Sequence, residues 1–187
     1  MLEENQLLGV ATVIICFLLF FQAYQEHKKS HNGYSLLLIV LAGLFLRVYA
    51  GLDCYLHEWD ERYHALVAKN IMSEPFKPML YIDPVLPYDY KQWGSNHIWL
   101  HKQPFPLWIM ALSMHVFGVN EFAVRIPSIF ISTLGIFLTY SIGSFYFNKK
   151  TGLLAAFFFS INGLLIELSS GRTTTDHPDT FFVCLIE

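Results

Sequence analysis

The sequence predicts an all-α fold, a polytopic bundle of membrane helices, and three observations lead to this prediction. The chain of 187 residues is 54% hydrophobic and only 14% charged, whereas soluble domains carry about 25% charged residues. Several apolar runs approach the roughly 20 residues that a helix needs to cross the hydrocarbon layer. Lysine pairs stand between some of these runs, as in the short cytoplasmic loops of membrane proteins.

The composition also excludes some classes of function. The net charge is −3, and the chain has no basic tract with interleaved aromatic residues, so nothing indicates binding to nucleic acid. Cys16, Cys54 and Cys184 lie far apart in the sequence, without the spacing of a zinc site or a disulfide framework. We interpret them as lipid-facing or core thiols.

The predicted spans cover residues 7–24, 34–52, 129–147 and 153–170, and a fifth starts at residue 180. The first span follows Glu3 and Glu4 where a signal peptide would have a basic region, so we expect it to remain as an anchor. The fourth span is interrupted by Asn162 and Glu167. Because the chain ends within the fifth apolar run, we expect residues 1–187 to be the N-terminal part of a longer transmembrane domain.

Two lysine pairs predict the orientation of these spans. Lys28 and Lys29 follow the first span, and Lys149 and Lys150 precede the fourth. Both pairs should be cytoplasmic by the positive-inside rule, which makes residues 53–127 a large external loop. The apolar run at residues 105–117 is followed by Gly118, a frequent helix stop, and is too short to cross. We expect it to lie flat in the membrane interface.

A second interfacial helix is predicted in the same loop, just after Asp60. Apolar side chains recur there at helical spacing, and polar ones fall on the other side. The apolar set is Tyr63, Leu66, Val67 and Ile71, and the polar set is Arg62, Lys69, Asn70 and Ser73.

Asp60 and Glu61 are the first candidate site, since carboxylates at the mouth of a membrane span are either wet surface groups or functional groups. Adjacent side chains on a helix diverge by about 100° and cannot both hold one atom, so one would react and the other would support it. Two structural interpretations remain open. Asp60 could cap the helix that follows, and Glu61 could be a first-turn acid favoured by the helix dipole.

The second candidate lies at the far end of the external loop. Lys102 could neutralise a lipid phosphate, or it could simply extend its ammonium group to the interface, as lysines near helix ends do. His97 and His101 have a spacing that can bind a metal, but eight histidines produce such spacing by chance. A divalent metal is therefore not required by the sequence.

The third candidate follows the fourth span, on the same predicted outer side. Arg172 could bind a phosphate or pair with a carboxylate, and Asp176 could act as an acid–base group or as a ligand. The alternative is that Asp176 or His177, before Pro178, marks the start of the fifth helix.

Three motifs occur in order along the chain: DERY at residues 60–63, HKQPFPLW at 101–108 and GVNEFAVRIPS at 118–128. Their order and spacing resemble the N-terminal part of the GT-C glycosyltransferases. The most similar branch is glycosyltransferase family 39, which contains the protein O-mannosyltransferases and the bacterial lipid A aminoarabinose transferase. The resemblance covers residues 36–182, most of the chain.

The resemblance implies a GT-C-like enzyme of a bacterial inner membrane that moves a sugar, with inversion, from a polyisoprenyl-phosphate donor to a hydroxyl acceptor. The acceptor would be a lipid, a glycan or a protein on the extracytoplasmic side. Asp60 would be the general base, Glu61 would orient its neighbours, and Asp176 would be the carboxylate of the second outer loop. The cations for the lipid phosphate would be Lys102 and Arg172, with His101 beside them.

One departure from the family pattern concerns the loop lysine. In the lipid A branch a Glu typically precedes it and a Pro-Pro pair follows, whereas here the residues are His101 and Gln103-Pro104. The change removes a negative charge beside the phosphate site, and the sequence specifies neither the sugar nor the acceptor. The alternative function is a non-catalytic multi-pass protein, either a transporter or scaffold or an inactive remnant of a transferase.

Overall fold

The computed structural model describes residues 4–85, 87–89, 91–92, 97–173 and 179–186. Within these ranges the chain forms helices and no strand, apart from an isolated bridge between Met79 and Ile98. The predicted all-α class is confirmed. The helices are α1 (Glu4–Lys28), α2 (Asn32–Ala50), α3 (Asp60–Ile71), α4 (Pro104–Phe117), α5 (Glu121–Tyr146), α6 (Lys149–Ser160), α7 (Gly163–Ser169) and α8 (Asp179–Ile186).

Three of the described helices, α1, α2 and α5, are long and apolar enough to cross a membrane. Helix α5 begins at Glu121, earlier than the predicted span at residue 129. Asn120 allows this early start because its side chain accepts a hydrogen bond from the Ala123 N–H at 2.8 Å. Pro127 cannot donate to the Ala123 carbonyl one turn earlier. That carbonyl instead accepts the Ser113 hydroxyl at 2.6 Å, which also ties α4 to α5.

The predicted span at residues 153–170 is two helices, α6 and α7, bent by 56° relative to each other. Together they count as a fourth candidate span. The break falls at Asn162, whose side chain accepts a hydrogen bond from the Leu165 N–H at 3.2 Å and so caps α7. The polar residue that interrupts the apolar run therefore starts a new helix.

Both short helices predicted for the long loop are present as α3 and α4. The 14 residues of α4 extend for only about 21 Å, compared with a hydrocarbon layer of about 30 Å. The predicted faces of α3 need a correction, because Asn70 is buried and Leu66 is exposed. The Asn70 amide donates to the carbonyls of Met79 and Leu80 at 2.8 and 3.1 Å, so burial satisfies its polar atoms.

The helices form two packed groups. Helices α2, α5 and α6 contact one another, while α1 packs mainly against α2 and leaves most of its surface exposed. Helices α3 and α4 pack on each other and on the start of α5, around a separate apolar core that includes Leu80 and Trp99. The candidate residues lie where α3 and the segment after α2 meet α5 and the segment after α7.

Candidate active site

A fully buried ion pair lies at the centre of this region. Arg125 of α5 and Glu61 of α3 are both 0% exposed. The Arg125 Nε donates to Glu61 Oε1 at 2.7 Å, and Nη2 donates to Oε2 at 3.1 Å. This bidentate geometry is the strongest arrangement that a guanidinium and a carboxylate can form.

The remaining N–H groups of Arg125 bind the segment that follows α2. Nη1 donates to the carbonyls of Gly51 at 3.0 Å and Asp53 at 2.6 Å, and Nη2 donates to the carbonyl of Tyr55 at 2.6 Å. A guanidinium has five N–H donors, and the five hydrogen bonds of Arg125 match them. One side chain of α5 therefore fixes both the start of α3 and the chain that leads into it.

Glu61 is enclosed from the other sides as well. Its Oε2 accepts the backbone N–H of His57 at 2.6 Å. Gly171 lies directly against the carboxylate, so a Cβ at that position would clash with it. Gly171 also has φ of 74°, a conformation that favours glycine. Glu61 is thus sealed from solvent, and a glycine is required where the segment after α7 crosses it.

Asp60, its neighbour in sequence, remains accessible. Its Oδ2 lies 4.0 Å from the Lys102 Nζ, and the two side chains are 16% and 21% exposed. Asp60 is the first residue of α3, and the N-cap position belongs to Trp59, whose side chain makes no capping hydrogen bond. The helix bounds thus do not place Asp60 at the capping position. Trp59 has φ of 64°, a sparsely populated conformation for a non-glycine residue.

Arg172 forms a second ion pair beside the first. Its Nε lies 3.0 Å from Asp53 Oδ2, and Nη2 lies 3.3 Å from Oδ1. The His57 Nε2 lies 3.2 Å from the same Oδ2. Arg172 is 39% exposed in its side chain, so this cluster faces the accessible side of the region while Glu61 lies in its interior.

The structure therefore brings together Asp60, Glu61, Lys102 and Arg172 at one end of the bundle. The two histidines proposed as metal ligands make aromatic contacts: His101 with Trp99 at 5.5 Å and His97 with Tyr88 at 5.8 Å between ring centroids. No group of three His, Cys, Asp or Glu side chains suited to a metal occurs in the described residues. Asp176 lies outside the described residues.

Sequence reasoning missed Asp53, His57 and Arg125 as members of this region. Arg125 carries a signal that could have identified it, because a charge inside an apolar helix needs a partner or a function. Asp53 and His57 carry no comparable signal, since both lie in an irregular segment whose path only the fold determines.

Comparisons with known proteins agree with the resemblance to glycosyltransferases. Residues 101–186 match the family described as dolichyl-phosphate-mannose-protein mannosyltransferase. The chain is 30% identical over 130 residues to an uncharacterized protein of Aquifex aeolicus (strain VF5), an alignment that covers 67% of this chain and 23% of that protein. It is 26% identical over 147 residues to a Bacillus subtilis (strain 168) protein named "Putative mannosyltransferase YycA", covering 76% of this chain and 19% of that protein.

The chain thus spans about a fifth of the length of these curated relatives. No solved structure matches it. The family match begins at His101, in the second sequence motif, and extends through α4 to α8. The resemblance inferred from the motifs is confirmed: over residues 101–186 the chain matches the dolichyl-phosphate-mannose-protein mannosyltransferases, a family of GT-C membrane glycosyltransferases.

Proposed function

We propose that the protein is a membrane glycosyltransferase that moves a sugar from a polyisoprenyl-phosphate donor to a hydroxyl acceptor on the extracytoplasmic side, with inversion. The observation that carries this proposal is the 4.0 Å approach of Asp60 and Lys102, from two segments far apart in sequence. A partly exposed carboxylate beside a partly exposed ammonium supplies a proton acceptor and a phosphate-binding cation in one place. The description of the matched family names a lipid-phosphate sugar donor, which such a pair of groups could serve.

Asp60 is the general base in this proposal. The acceptor hydroxyl attacks the anomeric carbon, its proton passes to the Asp60 carboxylate, and the bond between that carbon and the phosphate oxygen breaks. The electron pair of the broken bond leaves with the phosphate. A base must first be within reach of the proton it removes, and the exposure of Asp60 supports this role.

Lys102 and Arg172 are the proposed cations for the departing phosphate. The phosphate gains negative charge as the bond breaks, so fixed positive charge stabilises the transition state. Arg172 is held by Asp53 and is exposed at 39% of its side chain. His101, also exposed, precedes Lys102 and is a further polar contact for the donor. Asp176 is the proposed carboxylate of the second outer loop.

Glu61 acts as a positioning residue in this proposal. Both of its oxygens accept hydrogen bonds from Arg125, and Oε2 also accepts one from the His57 N–H. A buried carboxylate with these bonds is poorly placed to receive a proton from a substrate. It instead holds the first turn of α3, and with it Asp60.

The predicted orientation supports the extracytoplasmic side. Lys28, Lys29, Lys149 and Lys150 all lie at the end of the bundle where α1 ends and α2 and α6 begin. Asp60 and Lys102 lie together at the opposite end of the bundle, where α2 ends. Positive loops face the cytoplasm, so the opposite end faces outward.

The test is sugar transfer by the protein in its native membrane, with a mannosyl-phosphate polyisoprenol as the first donor because the matched family is described by that chemistry. We expect Asp60→Asn to lower transfer by about 10²–10⁴-fold, the usual contribution of a general base, without loss of folded protein. The control is Glu58→Gln, an exposed acid two positions earlier, which should transfer at the wild-type rate.

Transfer by the Asp60→Asn variant at the wild-type rate would contradict the role of Asp60. If neither the wild-type protein nor any variant transfers sugar from a panel of polyisoprenyl-phosphate donors, the non-catalytic alternative, a transporter or scaffold, is favoured.

A further inference from the structure

An apolar groove lies at the end of the bundle opposite the candidate active site. It is formed by the last turns of α1, the start of α2 and the start of α6, and its volume is about 480 Å³. The 19 residues of α2 separate this end from the Gly51 region by about 27 Å. The groove is therefore a separate feature from the region around Asp60 and Lys102.

The walls of the groove are almost entirely hydrocarbon. They include aromatic side chains of α1 and both aromatic and aliphatic side chains of α6: Phe17, Phe20, Phe21, Leu153, Leu154 and Phe157. Several of them are largely exposed, with Phe17 at 68% and Leu154 at 54%. Helix α1 packs mainly against α2 and meets α6 at the ring contact between Phe20 and Phe157, with centroids 5.0 Å apart, and the groove lies among these three helices.

The end of the groove formed by the last turn of α1 and the first turn of α6 is basic. His27 and Lys150 line it, and the His27 Nδ1 lies 2.8 Å from Asn32 Oδ1, which orients the ring. Lys150 makes no ion pair with any residue in the described part of the chain. By contrast, Lys29 in the same region pairs with Glu26 at 2.8 Å. A cation at the end of an apolar groove complements an anion attached to a hydrocarbon chain.

The length of the groove fits one leaflet of a membrane. Its lining on α1 runs from Phe17 to His27, a helical rise of about 15 Å. Half of the hydrocarbon layer of a bilayer is also about 15 Å. The groove is thus long enough to extend from a headgroup at its basic end to about the middle of a bilayer.

We propose that this groove binds an anionic phospholipid, with one acyl chain along the aromatic wall of α1 and the phosphate at Lys150. The site would lie in the leaflet on the side of the lysine pairs. The proposal does not depend on the transfer reaction, because it uses none of the residues around Asp60.

The test uses the full protein in phosphatidylcholine vesicles that contain a photo-crosslinkable phosphatidylglycerol. We expect crosslinks within residues 17–27 and 150–157, displaced by unlabelled phosphatidylglycerol and not by added phosphatidylcholine. A lysine beside an anionic lipid contributes about 1 kcal/mol, so Lys150→Gln should lower the crosslinking yield by about fivefold.

Two further variants make the test specific. Lys149→Gln removes the same charge from the same turn, and Lys149 does not line the groove. It should change the yield by less than about twofold, because only a direct ammonium–phosphate contact is specific to the groove. Leu154→Trp places a bulky side chain at an exposed position of the groove and should abolish the crosslinks. Equal losses for Lys149→Gln and Lys150→Gln, equal competition by both lipids, or no crosslinks within residues 17–27 and 150–157 would each overturn the proposal.

Discussion

Two fully buried arginines, Arg47 in α2 and Arg125 in α5, have their buried positive charges stabilised by different kinds of partner. Both are 0% exposed, and both belong to helices long and apolar enough to cross a membrane. Arg125 is neutralised by the Glu61 carboxylate. Arg47 has no carboxylate within ion-pair distance among the described residues and is surrounded only by neutral oxygen atoms.

Arg47 reaches acceptors in α2, in α5 and at the end of α6, just before the break between α6 and α7. Its Nε donates to the Ser132 hydroxyl at 2.8 Å, and Nη1 donates to the carbonyls of Gly43 at 3.0 Å and Ser160 at 3.1 Å. Nη2 approaches the Phe159 carbonyl at 3.4 Å. A helix that ends leaves carbonyls without helical partners, and Arg47 supplies a donor to one of them, the Ser160 carbonyl.

The two arginines therefore differ in role: Arg47 stabilises the helix bundle, and Arg125 stabilises the segments that form the candidate active site. Arg47 compensates the polar backbone atoms that a bent span exposes inside the bundle. Arg125 instead joins α5 to the acidic start of α3 and to the chain that carries Asp53. A buried charge with a buried counter-charge is sensitive to the loss of either partner, because the survivor is left uncompensated.

The largest effect should come from Arg125→Met. It leaves the Glu61 carboxylate buried without its cation, which typically costs about 3–5 kcal/mol. The measurement is the fraction of protein that remains folded after mild heating in detergent, assessed by size-exclusion chromatography. Adding Glu61→Leu should recover part of the loss, because it removes the unpaired charge. Wild-type stability of Arg125→Met alone would show that the ion pair does not hold this region.

Arg47→Met should have a smaller effect on the same measurement. It removes a cation and leaves its neutral acceptors without that donor. The Phe159 carbonyl keeps one partner, because it still accepts the Asn162 N–H at 3.3 Å. An unsatisfied buried acceptor costs about 1–3 kcal/mol. A loss as large as that of Arg125→Met would mean that the counter-charge is not what distinguishes the two sites.

Asp53→Asn should have the smallest effect on stability, since an exposed ion pair contributes about 0.2–1 kcal/mol. The Asp53 carbonyl that binds Arg125 is unaffected by the change. If Arg172 binds the donor phosphate and stabilises it in the transition state as proposed, the loss of its fixed orientation should raise the KM for the donor and lower kcat, each several-fold.

The control for this experiment is Asp53→Glu, which keeps the charge and should restore part of the lost donor affinity. An unchanged KM in Asp53→Asn would show that the pair with Arg172 has no part in donor binding.

Much of the fold could be predicted because hydropathy and run length are local properties. The apolar runs located the helices, and the shortness of residues 105–117 predicted that α4 does not span the membrane. The sequence marked Asn162 as an interruption of the fourth apolar run but did not predict the 56° bend there, and it placed the start of α5 at residue 129 instead of Glu121. Each feature has a local cap, Asn162 or Asn120. Each is also satisfied by a hydrogen bond that only the fold supplies, from Arg47 to the Ser160 carbonyl and from Ser113 to the Ala123 carbonyl.

The candidate site was predicted in part. The predicted topology put Asp60, Lys102 and Arg172 on the same side of the membrane. The structure brings the Asp60 carboxylate to 4.0 Å from the Lys102 ammonium group. Their roles stay predictions. Asp53 was not identified, because nothing in the local sequence shows that a carboxylate after α2 meets an arginine after α7.

The sequence by itself determined the class of the molecule, a bundle of membrane helices, and the motifs that link it to a family of glycosyltransferases. The resemblance gave Asp60 and Glu61 different roles, but only the tertiary structure showed which of the two is buried. Successive side chains on a helix point about 100° apart, so the two carboxylates could have different surroundings. The packing of α3 against Arg125 and Gly171 decided the outcome: Glu61 is buried against its cation, and Asp60 stays partly exposed beside Lys102.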